Sequence, residues 1–393
     1  MAKTYQELGA SASKAGLHQV LKATKLETDH RYFASLIPDL AGDPNYQAFI
    51  HCDGAGTKSI VAYLHYRETG DTSLFKNLAY DALVMNLDDA FCLGPVSGLA
   101  YANMIGRNAR LVPDSAIQQI LEGYKELVDL LAKHDIKITL AGGETADCGD
   151  TVRTLMVDGV LAGRIEKNKL IDTTRIAPGD VIIGLASNGK TTFEAEENSG
   201  IGSNGLTLAR HSLISRQYAD KYPEILDAGV TSEKRYSGRG AISDPLPETT
   251  LTIAKALSSP TRTFALALNQ IYQSDLAEIH AVIHTTGGGA TKVLRFGPPG
   301  GMHFIKDNLF PTPAIFELIQ SQAQVPWEEM YQVFNMGTRL EIYAPERVAA
   351  RVIGAAQAFK INAQVIGRVE KSSTGINQVS VKSKYGAFNY TLS

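Results

Sequence analysis

The sequence predicts a mixed α/β or α+β protein of two domains, and three observations carry that expectation. Helical and extended patterns alternate along the chain, turn residues gather near Ile176-Ala177-Pro178-Gly179-Asp180, and 393 residues supply two cores of ordinary size. No low-complexity tract or short-period repeat interrupts the alternation. The break divides the chain into expected domains of residues 1–175 and 176–393. Periodicity leaves the order of the strands open.

In the first half, residues 75–93 read as a helix with Phe75, Leu78, Ala79, Ala82, Leu83 and Asn86 along one side. Residues 114–133 read as a second helix, capped by Asp114, with Ile117, Ile120, Leu121, Tyr124, Leu127, Val128 and Leu131 at i, i+3, i+4 spacing. Residues 136–141 and 157–165 read as strands, the first running into a Gly142-Gly143 turn. In the second half, residues 181–186 read as a short buried strand and residues 187–205 as a long polar, Gly-rich loop. Pro260 is expected to open a helix containing Phe264 and Leu268, and Pro345 to open another over residues 346–359. Residues 279–284 and 361–369 complete the expected strands.

Composition narrows the class. Hydrophobic residues at 44% and charged residues at 20% suit a globular protein, and a formal net charge of −3 argues against broad binding to nucleic acid or anionic membrane. Any phosphate site must therefore concentrate its cations locally. Cys52, Cys92 and Cys148 form no CxxC pair, so neither a disulfide framework nor a cysteine zinc site is expected. Residues 1–5 lack the apolar run of a signal peptide, and no stretch approaches the roughly 20 apolar residues of a membrane span. A cytoplasmic protein is expected.

Four segments carry candidate chemistry. His51-Cys52-Asp53-Gly54-Ala55-Gly56-Thr57-Lys58 combines a carboxylate for a hard cation, glycines that let backbone approach a ligand, and an ammonium for phosphate. An ordinary Asp-Gly turn has the same composition, so both readings stand at this point. Asp88-Asp89 lies near the C-terminal end of the first long helix, where adjacent carboxylates oppose the helix dipole unless solvated or paired with a cation. Gly142-Gly143-Glu144 follows an expected strand, the usual place for a ligand-contacting loop, and Glu144 could complete a metal site. His284-Thr285-Thr286-Gly287-Gly288-Gly289 has the same placement, with glycine N–H groups for an anion and a histidine for proton transfer.

A fifth segment is a decoy. Gly184-Leu185-Ala186-Ser187-Asn188-Gly189-Lys190-Thr191 satisfies the P-loop pattern after a strand. The residues behind it contain Glu194, Glu196 and Glu197 and few apolar positions, so they make a poor buried helix and oppose a triphosphate. A coincidental match in a solvated loop is the better reading.

Taken in order, these segments resemble the phosphoribosylformylglycinamidine cyclo-ligase (AIR synthetase) family. The resemblance runs through Asp53-Gly54-Ala55-Gly56-Thr57-Lys58, Met85-Asn86-Leu87-Asp88-Asp89 and Gly142-Gly143-Glu144-Thr145-Ala146. It continues through Ser203-Asn204-Gly205, Ser259-Pro260-Thr261-Arg262, Thr286-Gly287-Gly288-Gly289 and Met330-Tyr331-Gln332-Val333-Phe334-Asn335-Met336-Gly337. It implies an N-terminal mixed domain that pairs with its twin in a homodimer, and a C-terminal α/β domain. It also implies ATP-dependent cyclisation of formylglycinamidine ribonucleotide to aminoimidazole ribonucleotide, with release of ADP and phosphate, in de novo purine biosynthesis.

By that resemblance Asp53, Asp89 and Glu144 hold Mg²⁺ with ATP, and Gly54, Gly56, Thr57, Gly142 and Gly143 line the nucleotide. Lys58 neutralises the transferred phosphoryl group and His284 acts as general acid or base. Ser203, Asn204, Gly205, Thr286, Gly287, Gly288 and Gly289 contact the substrate. Three departures stand out: Tyr32-Phe33-Ala34-Ser35-Leu36-Ile37-Pro38 where typical members are Gly-rich, Gly202 where they have His, and Asp88 where they have Asn. The alternatives are another ATP-using enzyme of the same superfamily, such as thiamine-monophosphate kinase, or a non-catalytic nucleotide-binding paralogue. The segments at residues 259–262 and 330–337 favour the cyclo-ligase over the kinase.

Overall fold

A computed structural model describes residues 3–10, 20, 23–24 and 31–392. Two sheets organise the chain. The first contains β1 (Leu36–Pro38), β2 (Tyr46–Gly54), β3 (Ser97–Arg107), β4 (Ile138–Asp147) and β5 (Leu155–Glu166), in the order β1-β2-β5-β3-β4. All neighbours are antiparallel except β3 and β4. The second contains β6 (Asp180–Ala186), β7 (Ala281–His284), β8 (Met302–Lys306), β9 (Thr338–Pro345), β10 (Ala363–Lys371), β11 (Gln378–Ser383) and β12 (Gly386–Thr391). Its order is β12-β11-β8-β10-β6-β9-β7, antiparallel except for β11 beside β8.

One face of the first sheet is covered by helices. Along β2 and β5 the inward positions Phe49, Val157 and Leu161 are buried, while Ile50, Met156 and Val160 alternate outward and are exposed, as the two-residue strand period requires. Met104 of β3 is exposed likewise. The helix Asp114–Ala132 buries Ala116, Ile120, Tyr124, Leu127 and Leu131 along one stripe. Its partner, Lys76–Phe91, is buried on nearly every side, including Asp81, Asn86, Asp88 and Asp89. A helix enclosed all round carries polar groups inward only where partners meet them. That requirement builds the site.

Several sequence expectations shift at the boundaries. The Gly142-Gly143-Glu144 segment is not a loop after a strand, because β4 continues through it beside β3, pairing Asn103 with Gly143 and Met104 with Glu144. Asp114 is the first helical residue, not the cap; Pro113 occupies the capping position and Asp114 pairs with Arg107 at 2.7 Å. Pro260 does not open a helix. Residues 260–264 have no regular secondary structure and the helix begins at Ala265, since the backbone N–H of Phe264 and the hydroxyl of Thr263 are committed to Asp88. The 187–205 loop holds no helix, as expected.

Candidate functional site

The site lies where the turn after β2 and the Lys76–Phe91 helix meet the second half of the chain. Gly56 adopts φ +56°, a left-handed conformation that glycine tolerates, and the 3₁₀ turn Gly56–Lys58 then directs Lys58 inward. Lys58 is fully buried: its Nζ donates to Asp81 Oδ1 at 2.7 Å and to the carbonyl of Ser259 at 2.6 Å. Burial, the dominant influence, lowers the Lys58 pKa against the opposing pull of Asp81. Two of the three ammonium donors are thus engaged.

Asp81 is the knot between the halves. The same Oδ1 accepts from Ser203 Oγ at 3.0 Å, from the Thr261 N–H at 2.8 Å and from Thr261 Oγ1 at 2.7 Å, while the buried Oδ2 has no hydrogen-bond partner among the described residues. Ser203 also lies 2.8 Å from Thr261 Oγ1, and Thr57 Oγ1 lies 3.4 Å from Thr207 Oγ1. Sequence reasoning passed over Asp81 because a lone Asp inside an apolar helix gives no local signal.

Asp88 and Asp89, about two turns further on, are neither exposed nor equivalent. Asp88 accepts from Thr263 Oγ1 at 2.8 Å and from the Phe264 N–H at 3.0 Å, which anchors the Ala265–Asp275 helix from the other half. Burial raises its pKa despite those bonds. Asp89 receives the His284 Nδ1–H at 2.7 Å, and His51 Nε2 lies 3.2 Å from its other oxygen, outside hydrogen-bond alignment. Burial would raise the Asp89 carboxyl, but the His284 and His51 interactions override it and hold the group well below the usual carboxylate range.

His284 ends β7 and is completely buried. Its Nε2 lies 3.2 Å from Arg339 Nε, on the neighbouring strand β9. A guanidinium only donates, so Nε2 accepts and Nδ1 carries the proton given to Asp89. Both ring nitrogens are occupied, an arrangement unlike that of a histidine free to carry protons. Arg339, which the sequence did not single out, is itself buried.

One group among the described residues could hold a cation: His51, Asp53 and Asp89 bring ligand atoms within 4.8 Å of one another. Two carboxylates fit Mg²⁺, which is usually held by one or two of them together with substrate phosphates and water. Glu144 does not join this group. It is exposed on β4 and separated from β2 by β3 and β5, and His51 stands third instead. Gly142 and Gly143 are exposed on the same strand.

The glycine-rich segments sit beside the site. Gly287, Gly288 and Gly289 all have positive φ, at +49°, +119° and +49°. Asn204 Nδ2 would lie 3.4 Å from a Cβ at residue 287, so the Ser203–Gly205 turn and the triple glycine are neighbours. Thr286 is buried at their entrance.

The P-loop-like segment is built the opposite way from a phosphate cradle. Buried Arg262 donates to the carbonyls of Ala186, Asn188 and Gly189 at 3.0, 2.8 and 2.9 Å, and its Nη2 pairs with Glu194 at 2.6 Å. Carbonyls, not N–H groups, face the centre, and Lys190 is exposed. The expectation that this match is coincidental holds.

Comparison with known proteins follows the same division. Residues 34–165 match the family model of the AIR synthase related protein N-terminal domain, and residues 177–379 match that of the C-terminal domain. The chain is 30% identical over 301 residues to the phosphoribosylformylglycinamidine cyclo-ligase of Methanococcus vannielii, covering 75% of this chain and 72% of that protein. It is 29% identical over 300 residues to the protein of the same name from Methanocaldococcus jannaschii, covering 76% and 73%. Among solved structures, a HypE–HypF complex matches with TM-score 0.54 at 13% identity, covering 96% of this chain and 99% of that one. T. maritima PurL complexed with FGAR matches with TM-score 0.52 at 14% identity, covering 91% and 46%. These two likenesses speak to the fold. With both halves matched, the chain belongs to the AIR synthase related protein family.

Proposed function

We propose that the chain catalyses ATP-dependent ring closure of formylglycinamidine ribonucleotide to aminoimidazole ribonucleotide, with release of ADP and phosphate, in de novo purine biosynthesis. One observation carries the reading. Asp53, Lys58, Asp81 and Asp89 from the first half converge on Ser203, Ser259, Thr261 and His284 from the second, in one largely buried cluster with Asp53 and Ser203 at its half-buried edge. The curated relatives named as cyclo-ligases support it across three quarters of the chain.

Asp53 and Asp89 would hold Mg²⁺ with ATP, with His51 beside them. The bound nucleotide supplies an activated phosphoryl group that turns the formyl oxygen of the substrate into a leaving group. The remaining work belongs to this chain. Lys58, with one donor left after Asp81 and Ser259, offers positive charge at a fixed point. The turns at Gly54, Gly56 and Thr57, at Ser203-Asn204-Gly205 and at Thr286–Gly289 orient nucleotide and substrate. Holding the reacting nitrogen and carbon of one molecule together makes ring closure favourable without a protein nucleophile, since effective molarities can reach roughly 10⁵–10⁸ M. Burial of Lys58, Asp81 and His284 keeps water from those groups.

The reading divides the chain at about residue 176 and pairs two copies. Ile50, Met104, Met156 and Val160 form an exposed apolar patch on the open face of the first sheet, a surface suited to a twin sheet. Glu144, Gly142 and Gly143 on β4 are proposed to meet ligand across that pairing, which accounts for their distance from Asp53 within one chain. A cytoplasmic location suits the reaction, and no described helix is long and apolar enough to cross a membrane.

The test is turnover. Purified protein with ATP, Mg²⁺ and formylglycinamidine ribonucleotide is expected to yield aminoimidazole ribonucleotide. ADP formed only when thiamine monophosphate is supplied would transfer the reading to the kinase.

A further inference from the structure

We propose that Arg339 contacts the phosphoryl-bearing ligand of this site through Nη1, that Gly202 exists to admit it, and that His284 is the residue that positions it.

The geometry begins with Gly202. At φ +67° it sits immediately before the Ser203-Asn204-Gly205 turn, and a Cβ at residue 202 would lie 2.0 Å from Arg339 Nη1. No side chain fits while the guanidinium is in place. Arg339 fills the volume that residue 202 leaves open, so the two positions act as a pair.

The hydrogen bonds of the guanidinium then show where its unused capacity points. Nε donates to His284 Nε2 at 3.2 Å, and Nη2 meets only the weak acceptor Met85 Sδ at 3.2 Å. Nη1 makes no hydrogen bond among the described residues. A guanidinium 2% exposed, with one nitrogen unpartnered and another against sulfur, is poorly satisfied by the protein alone. A phosphoryl oxygen beside the 203–205 turn would complete it, because planar guanidinium N–H groups match such oxygens well.

The charges around it agree. Burial lowers the Arg339 pKa, and the nearby carboxylates of Asp88, Asp81, Asp89 and Asp53 pull the other way, in favour of the cation. On the other side, His284 is tied between Asp89 and Arg339 Nε, which fixes the ring and aims the guanidinium toward Gly202. The proton-carrier role expected for His284 is thereby replaced by a positioning role, and the ligand contact passes to Arg339.

The inference rests on the cyclo-ligase reading for the identity of the ligand, so its test includes binding as well as turnover. Affinities for formylglycinamidine ribonucleotide and for ATP with Mg²⁺ are measured by calorimetry on wild-type protein, Arg339→Gln, Arg339→Lys and Gly202→Ala. One of the two ligands is expected to bind about 10- to 100-fold more weakly to Arg339→Gln and to Gly202→Ala, the range for a lost charge-assisted hydrogen bond. Arg339→Lys is expected to recover little, since a single ammonium cannot hold His284 and reach Gly202 together. The double variant Gly202→Ala/Arg339→Gln should be no weaker than the worse single variant, because both remove the same contact.

A purely structural role predicts a different pattern: lowered stability with unchanged affinity, and additive losses in the double variant. Either result overturns the proposal. Should Arg339→Gln fail to fold, Arg339→Lys, which retains the charge and leaves the left-handed backbone at Gly202 undisturbed, reads the loss of the Nη1 contact. Wild-type protein that binds these ligands without forming aminoimidazole ribonucleotide rejects the cyclo-ligase reading, and the affinity ratios still decide Arg339. Equal affinities across the set dismiss it.

Discussion

Lys58 and Asp81 form a 2.7 Å ion pair in which neither side chain is exposed. The pair joins the turn after β2 to the Lys76–Phe91 helix, and through Ser259, Thr261 and Ser203 it joins both to the second half of the chain. Removing one member of a buried pair leaves the other charge uncompensated, at a cost of about 3–5 kcal/mol. Lys58→Ala is therefore expected to lower stability by that order in urea unfolding and to abolish turnover. Full stability together with normal turnover would remove Lys58 from the site.

Arg262 and Lys190 make a contrasting pair. Arg262→Lys loses the fan of bonds to Ala186, Asn188 and Gly189 and the fork onto Glu194, so the 187–205 loop should loosen. A stability loss of about 3 kcal/mol is expected, read as a lower urea midpoint. Lys190→Ala, at an exposed position facing none of these groups, should leave the affinity for ATP unchanged. A tenfold weaker affinity would reinstate the P-loop.

His211 makes the stability depend on pH in a defined window. Burial, aided by the charge of Arg210, lowers its pKa to about 4, while the backbone contact with Lys234 opposes the shift. The unfolded chain protonates His211 near the ordinary value of 6.5, so between about 6.5 and 4 the unfolded state binds more protons. Stability is thus intact above pH 6.5 and falls as pH drops through that window, by on the order of 3 kcal/mol from this group. His211→Gln should flatten the slope of unfolding free energy between pH 6.5 and 4.5. An unchanged slope assigns the acid sensitivity elsewhere.

Met104 and Val160 are exposed on adjacent strands of the first sheet, on the face opposite the helices. Met104→Lys with Val160→Lys should convert a dimer into monomers by light scattering, with the fold retained by circular dichroism. A dimer that survives both charges places the interface elsewhere.

Much of this arrangement was legible in the sequence, and the rest was hidden for identifiable reasons. The helices ending near Phe91 and Ala132 followed from spacing, and β6, β7 and β10 followed from short apolar runs between turn residues. The segments at residues 53–58, 88–89 and 284–289 stood out by composition, those at 203–205 and 259–262 by family resemblance, and they do meet in space. Asp81, His51 and Arg339 did not stand out, because each gains meaning from a partner far away in sequence. Asp81 finds its partners in Ser203 and Thr261, His51 in Asp89, and Arg339 in Gly202. Glu144 shows the converse: its strand continues where two glycines suggested a turn, because pairing with β3 outweighs local glycine preference.

The central claim is that the two halves of this chain form one site that closes a ring at the expense of ATP. Its most direct measurement follows ADP and aminoimidazole ribonucleotide together, from purified protein given saturating formylglycinamidine ribonucleotide, ATP and Mg²⁺. The account predicts that the two products appear one to one, and that Asp53→Asn or Asp89→Asn suppresses both. ADP released without aminoimidazole ribonucleotide, or neither product at saturation, would contradict it.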